Sequence, residues 1–345
     1  MKYLLTIFIA FLILMGCSED NETNIEIESQ EITFVLCEGT PDAVYGSLWQ
    51  IKDDIVSEVA GNPTGNVAQS MAIYNNQLLV INNATGNIVE YFITADGIIS
   101  PTGNVLDLNG SQPREIEILN GKAYITQWLK HSIVVINLSN MTIESQITTP
   151  GATEGITNDG INIYSTIKYL DTSVAWPYPP GNSIIKINSE TNTITDTFIV
   201  SNNPDHIIYY NNFLYIGSQY GNYPNFGYIT EKVDPITGDI LVSKDHGSEF
   251  QFGVDFAIYE DQIYRAYNKG IISIDNDLNI DESSYIGTSQ ETGLYSMAII
   301  NELIYLGFGD YTAPDQVIVL DFDGKEISNF EVGASPGSFI LWQAD

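Results

Sequence analysis

"PDHIIYYNNFLYIG", residues 204–217, opens on a turn residue and runs through an apolar stretch. It breaks at Asn211-Asn212 and resumes with aromatics and a glycine. Two apolar runs joined by two such turn residues read as a β-hairpin. The phrase has six relatives: "QSMAIYNNQLLVIN" (69–82), "PREIEILNGKAYITQ" (113–127), "TEGITNDGINIYST" (153–166), "VDFAIYEDQIYRAY" (254–267), "YSMAIINELIYLGF" (295–308) and a truncated "PGSFILWQAD" (336–345). Aligned on one central position they give Ala72, Ile116, Ile156, Ile207, Phe256, Ala298 and Phe339, at steps of 44, 40, 51, 49, 42 and 41 residues. A period of about 40–50 residues is that of one four-stranded propeller blade.

Each unit continues in the same way. A third apolar strand ends in Asn or Asp, as in "SIVVIN" (132–137), "SIIKIN" (183–188) and "VIVLD" (317–321). A short turn and a fourth strand follow, as in "MTIESQI" (141–147) and "KEISNFEV" (325–332). Val, Ile, Thr and Tyr dominate, as in strands, and no helical period is sustained. The seventh repeat has only its first strand. The missing three stand at the other end of the chain, as "EITFVLC" (31–37), "GSLWQI" (46–51) and "DIVSEV" (54–59). Open sheet edges are a liability, so the termini are expected to build one blade together. The fold class is therefore all-β: a seven-bladed β-propeller of four-stranded antiparallel blades, the last closed by N- and C-terminal strands. A two-domain β arrangement is the alternative, and it leaves the complementary termini unexplained.

The chain opens "MKYLLTIFIAFLILMGCSED". The apolar core from Leu4 to Met15 is shorter than the roughly 20 residues a spanning helix needs, and suits an export signal. Leu14-Met15-Gly16-Cys17 resembles the lipobox of bacterial lipoproteins, which implies a signal peptide over 1–16 and lipidation at Cys17. The polar, acidic segment 17–30 reads as a flexible tether, and residues 31–345 as one propeller domain. An acidic stretch after the lipidated cysteine resembles the surface-export signal of Bacteroidota lipoproteins. The formal charge of −32, with only 12 Lys and Arg, argues against nucleic acid as a partner and against docking on anionic lipid. Cys37 is the only cysteine after Cys17 and reads as a buried apolar residue, so no disulfide framework exists.

The "P-x-x-I … Y-I" phrase and the "V-I-N/D" third strand, over residues 31–345, resemble the YVTN-type, YncE-like propellers. These include BtuG-type surface lipoproteins that capture cobalamin beside a TonB-dependent transporter. The resemblance implies a lipid-anchored protein at the outer membrane and cell surface, with a corrinoid-like ligand and such a transporter as partner. Propellers host many unrelated activities, so the likeness speaks for fold more than for function.

Antiparallel alternation places the loops entering each innermost strand on the same face as the loops between second and third strands. Those latter loops carry Trp128, Tyr169, Trp176, Tyr178, Tyr220, Tyr223, Phe226 and Tyr311. They line a ligand site or pack on one another to order their loops. The residues that begin the innermost strands, Gln69, Arg114, Glu154, His206, Asp255 and Tyr295, are expected at the channel mouth on this face. Arg114 could clamp an oxyanion or amide oxygen, or simply pair with its neighbour Glu115. His131, His206 and His246 all fall on this face, but on blades too far apart for a shared ion. A single axial contact from His206 to a corrinoid or heme is the alternative to a hydrogen-bonding role. No resident cofactor or metal site is expected. "DNDLNID" (275–281) lacks the glycine and terminal Glu of a calcium loop, and no nucleophile motif or phosphate loop occurs. The reading is a ligand-binding propeller for a small nutrient or cofactor, more a binder than an enzyme. A lactonase-like or quinoprotein-like enzyme and a protein-interaction platform are the alternatives.

Overall fold

The computed structural model describes residues 30–40, 45–60, 66–222, 225–248, 255–289 and 293–344. These residues form seven four-stranded antiparallel sheets, with no helix among them. The seven aligned positions all fall on innermost strands: Ala68–Tyr74, Pro113–Leu119, Ala152–Asn158, Pro204–Tyr210, Phe256–Tyr259, Gly293–Ile300 and Pro336–Gln343. Each of these touches the next, and the last touches the first, so the ring is closed. The chain is a seven-bladed β-propeller.

Closure occurs where the termini meet. Glu31–Cys37 pairs antiparallel with Pro336–Gln343, setting Phe34 opposite Ile340 and Val35 opposite Phe339. Ser47–Lys52 and Ile55–Ala60 complete the blade. Phe34, Leu36 and Trp342 then pack against Leu78 and Val80 of the first blade. The Trp342 indole also donates to Asn76 Oδ1 at 3.1 Å. Burying each such side chain contributes about 1.5–3 kcal/mol, so the seam holds by packing as well as by its ladder. The hairpin of the opening phrase turns at Asn211 and Asn212, whose φ angles of 48° and 66° suit a type I′ turn.

Of segment 218–228, expected as a loop, residues 218–222 and 225–228 instead continue the paired strands Phe213–Asn222 and Asn225–Val233. Tyr220 lies opposite Gly227. A Cβ at Gly227 would sit 2.2 Å from the Tyr220 ring, so the glycine makes room for that ring. The "DNDLNID" and "DFDGKE" stretches are turns between third and fourth strands, where Asp275 and Asp321 accept backbone N–H bonds.

Candidate functional site

Each of five innermost strands slips its register near its start: between Ala68 and Ser70, Pro113 and Ile116, Thr153 and Ile156, Pro204 and Ile207, and Leu294 and Ser296. A regular strand sends successive side chains to opposite faces. A bulge breaks that alternation and re-aims side chains. Here it turns neighbouring residues such as Arg114 with Glu115, and Asp205 with His206, to one cavity on the propeller axis. The cavity measures about 490 Å³. All six residues expected at the mouth line it: Gln69, Arg114, Glu154, His206, Asp255 and Tyr295.

Their side chains link blade to blade. Arg114 donates through Nε (3.0 Å) and Nη2 (2.7 Å) to Glu154 Oε1, and through Nη1 to Gln69 Oε1. Gln69 Nε2 donates to Glu38 Oε1 at 3.3 Å, and Tyr295 hydrogen-bonds Glu38. The Trp128 indole N–H donates to Glu154 Oε2, and the Arg114 guanidinium lies 4.5 Å from the Trp128 ring centroid. Lys168 Nζ is 2.8 Å from Asp205 Oδ2 and 3.6 Å from Glu154 Oε1. His206 Nε2 is 2.9 Å from Asp255 Oδ1. Arg114 therefore pairs with Glu154 of the next blade, rather than only with its neighbour Glu115.

Burial shapes the protonation of this ring. It pushes the Glu115 carboxyl up to about 8, against the pull of His206 and Arg114. It likewise raises Glu38 to about 7, against Arg114 and the Tyr295 hydrogen bond. For His206, burial works against the charge, but Asp255, Asp205 and Glu115 overcome it and raise the imidazolium to about 9. Burial opposes the charges of Arg114 and Lys168 too, and Glu154 and Asp205 respectively more than restore them. The His206 side chain is 40% exposed, against 18% for Asp255 and 4% for Glu154, so it is the more open of these groups.

The aromatics divide. Tyr311 and Phe226 reach the cavity wall, Tyr311 edge-on to Tyr295 at 5.9 Å. Trp128, Tyr169, Trp176 and Tyr178 form a cluster of edge-to-face rings 5.2–5.8 Å apart, beside the cavity rather than on its wall. Trp176, 66% exposed, is its outer member. Tyr220 is also off the wall, and its hydroxyl donates to Asp245 at 2.8 Å. Tyr223, Cys17 and the leader lie outside the described residues. Of the other histidines, His131 bonds Thr172 and His246 bonds Thr230. Burial first, and Arg265 second, depress His246 to about 4. Among the described residues, no group of three or more His, Cys, Asp or Glu side chains is placed to hold a metal ion.

Glu38, Lys168 and Asp205 are cavity residues that the repeat pattern does not single out. Glu38 and Lys168 stand near the ends of second strands, and Asp205 precedes His206. For Asp205 that adjacency is the signal the sequence carries; Glu38 and Lys168 are found only through the fold.

No protein-family model and no curated protein matches the chain. Solved structures share its fold. A proposed 6-phosphogluconolactonase from Bacteroides fragilis superposes with a TM-score of 0.63 at 12% identity, covering 90% of this chain and 98% of that one. A second, from Bacteroides uniformis, gives 0.65 at 9% identity over 91% and 99%. A functionally unknown protein from Desulfotomaculum acetoxidans gives 0.65 at 12% over 90% and 98%. At these identities the likeness is one of fold, and this chain spans nearly the whole length of each.

Proposed function

We propose that this propeller captures a small polar molecule in its axial cavity. The observation that carries the reading is convergence: six innermost strands, far apart in sequence, deliver hydrogen-bonding side chains to one concavity of small-molecule size. The export signal and Cys17 support a protein anchored by lipid at the outer membrane, delivering its ligand to a TonB-dependent transporter. Glu31 and Glu38 flank the two ends of one strand, and Glu38 is on the cavity wall. A corrinoid is the cargo implied by resemblance, but the charged lining supports a compact hydrogen-bonding ligand better than a broad planar ring. His206 Nε2 is also engaged by Asp255, which disfavours it as an axial ligand.

A thermal-shift screen of compact polar metabolites, with cyanocobalamin and hemin as further arms, tests the reading. A true ligand at 100 times its Kd stabilises by about 2.7 kcal/mol. Arg114→Ala and His206→Ala should lose most of that gain. No stabilisation by any compound, or a gain unaffected by both substitutions, would remove the cavity as the site.

One observation favours a second reading, hydrolysis of a neutral lactone. Carboxyl groups that titrate near 7 and 8 beside a His206–Asp255 pair are suited to proton transfer at neutral pH. The proposed lactonases among the fold neighbours support it by analogy alone. Acid release from glucono-δ-lactone, faster with the protein and slowed at least tenfold by Glu115→Gln, would favour this reading. No acceleration would exclude it.

A further inference from the structure

We infer that the ligand selected by this cavity carries a protonated amine; this rests on the capture reading above. The argument starts from which groups already have partners. The three cations of the wall are engaged by the protein: Arg114 by Glu154 and Gln69, Lys168 by Asp205 and Glu154, His206 Nε2 by Asp255. Several carboxylate oxygens are not. Among the described residues the Glu115 carboxyl accepts no hydrogen bond, and Asp205 Oδ1 and Asp255 Oδ2 accept none either. What the protein leaves available is three carboxyl positions against the single Nδ1–H of His206, mainly acceptor capacity, which calls for a donor-rich ligand.

Charge narrows the class further. Glu38, Glu115, Glu154, Asp205 and Asp255 face the three cations of the wall, and Asp255 also interacts with Arg265. With the Glu115 carboxyl held mostly protonated these charges are close to balanced, so an anionic ligand would find no unpaired cation to meet. An ammonium instead takes the place of the Glu115 proton and gives three N–H donors to the open oxygens. The net charge of −32 also steers cations toward the protein. Tyr295 and Tyr311, edge to face with each other on the same wall, add aromatic surface of the kind that attracts organic cations. An independent sign of an absent partner is Ser70. It lines the cavity, is 4% exposed, and its Oγ has no hydrogen-bond partner.

Binding of a cation here is linked to protons. Glu115 faces Arg114, His206, Glu154 and Asp255, and sits in the same cavity as Glu38, Lys168 and Asp205. Held up to about 8, it is mostly protonated in the empty site at pH 7. An ammonium favours the carboxylate, so it expels that proton, and affinity rises with pH by roughly tenfold per unit below the carboxyl's own value.

Benzylamine, charged throughout this range, is the probe. It is titrated calorimetrically into the purified protein at pH 6 and pH 7, the latter in phosphate and in HEPES, whose ionisation heats differ. The expected result is saturable binding, release of half to one proton at pH 7, and affinity about tenfold higher at pH 7 than at pH 6. Glu115→Gln should abolish the release and flatten the pH dependence. Should that variant not fold, the proton release of the unaltered protein decides alone. Binding without proton release, or no binding of benzylamine, overturns the inference. Sorbitol and gluconate separate the two levels of the claim. If either binds with a loss in His206→Ala while benzylamine does not, the capture site stands and the amine assignment falls.

Discussion

His206 Nε2 lies 2.9 Å from Asp255 Oδ1, an ion pair that ties the fourth blade to the entry of the fifth. Lys168 with Asp205 does the same for the third and fourth, and Arg114 with Glu154 for the second and third. The rim of the cavity is thus an arc of alternating charge across four blades. On the other side the wall is Tyr295, Glu38 and Gln69, joined by hydrogen bonds. Recognition and cohesion of the ring share the same side chains.

Glu154 is where that arc is most sensitive. Its side chain is 4% exposed and faces both Arg114 and Lys168. Glu154→Gln takes the charged partner from Arg114 and one of two from Lys168, both largely desolvated, and breaking such a pair costs up to about 3–5 kcal/mol. Urea denaturation should show a loss of that order. In a double-mutant cycle with Arg114→Met, the two losses should add to clearly more than the double variant shows. Additive losses would mean the two residues are not coupled.

Stability should fall as pH rises from 6 to 9. His206 is raised from 6.5 to about 9 in the fold, so its contribution is full below about 6.5 and is lost as pH climbs through 9. Glu38 and Glu115 are raised from 4.5 to about 7 and about 8, and carry the same sign: their contribution is lost across pH 4.5–8. His246, depressed to about 4, has the opposite sign, and its contribution fades as pH drops from about 6.5 toward 4. The melting temperature followed across this range should therefore peak on the mildly acidic side. Glu115→Gln should flatten the alkaline limb, and His246→Gln the acidic one. An alkaline limb unchanged in Glu115→Gln would contradict the raised Glu115 carboxyl.

Gly155 sets how closely the third and fourth blades approach. A Cβ there would lie 2.3 Å from the Asp205 carbonyl oxygen and 3.2 Å from the His206 Cα, both backbone atoms that cannot swing aside. Gly155→Ala should cost about 1–3 kcal/mol by overpacking. It should also weaken ligand binding by moving Asp205 and His206. Unchanged stability together with unchanged affinity would show that the two blades have slack.

The seam between the termini is equally testable. Trp342 is 2% exposed in the cluster that joins the closing blade to the first. Trp342→Ala should cost about 3–5 kcal/mol, as for other buried aromatics. Phe34→Ala, on the partner strand of the same cluster, should cost a similar amount. Losses under about 1 kcal/mol in both would mean that the seam contributes little to holding the ring.

The repeat in the sequence is legible because its signals are local. Alternating Val, Ile and Tyr make strands, and pairs such as Asn211-Asn212 make tight turns. The truncated seventh phrase points to the N-terminal strands as its complement. The six mouth residues follow from the same period, since each stands at the start of an innermost strand. What the period hides is the bulge. Strict alternation would send Glu115 and Asp205 away from the cavity, and only the slipped registers bring them in. The partners of charged residues are hidden as well: Arg114 finds Glu154 forty positions on, across a blade boundary. The aromatic segments mislead for another reason. Large rings near one another on a loop satisfy themselves first, as Trp128, Tyr169, Trp176 and Tyr178 do. Tyr220 settles over Gly227 and extends a strand instead of forming a loop.

The most direct test of the capture claim is a crystal structure of the protein grown with the strongest binder from the thermal-shift screen. The expected result is ligand density on the propeller axis, with atoms within hydrogen-bond distance of Glu115 and His206. Density against the exposed Trp176 cluster, with the axial cavity empty of ligand, would contradict it.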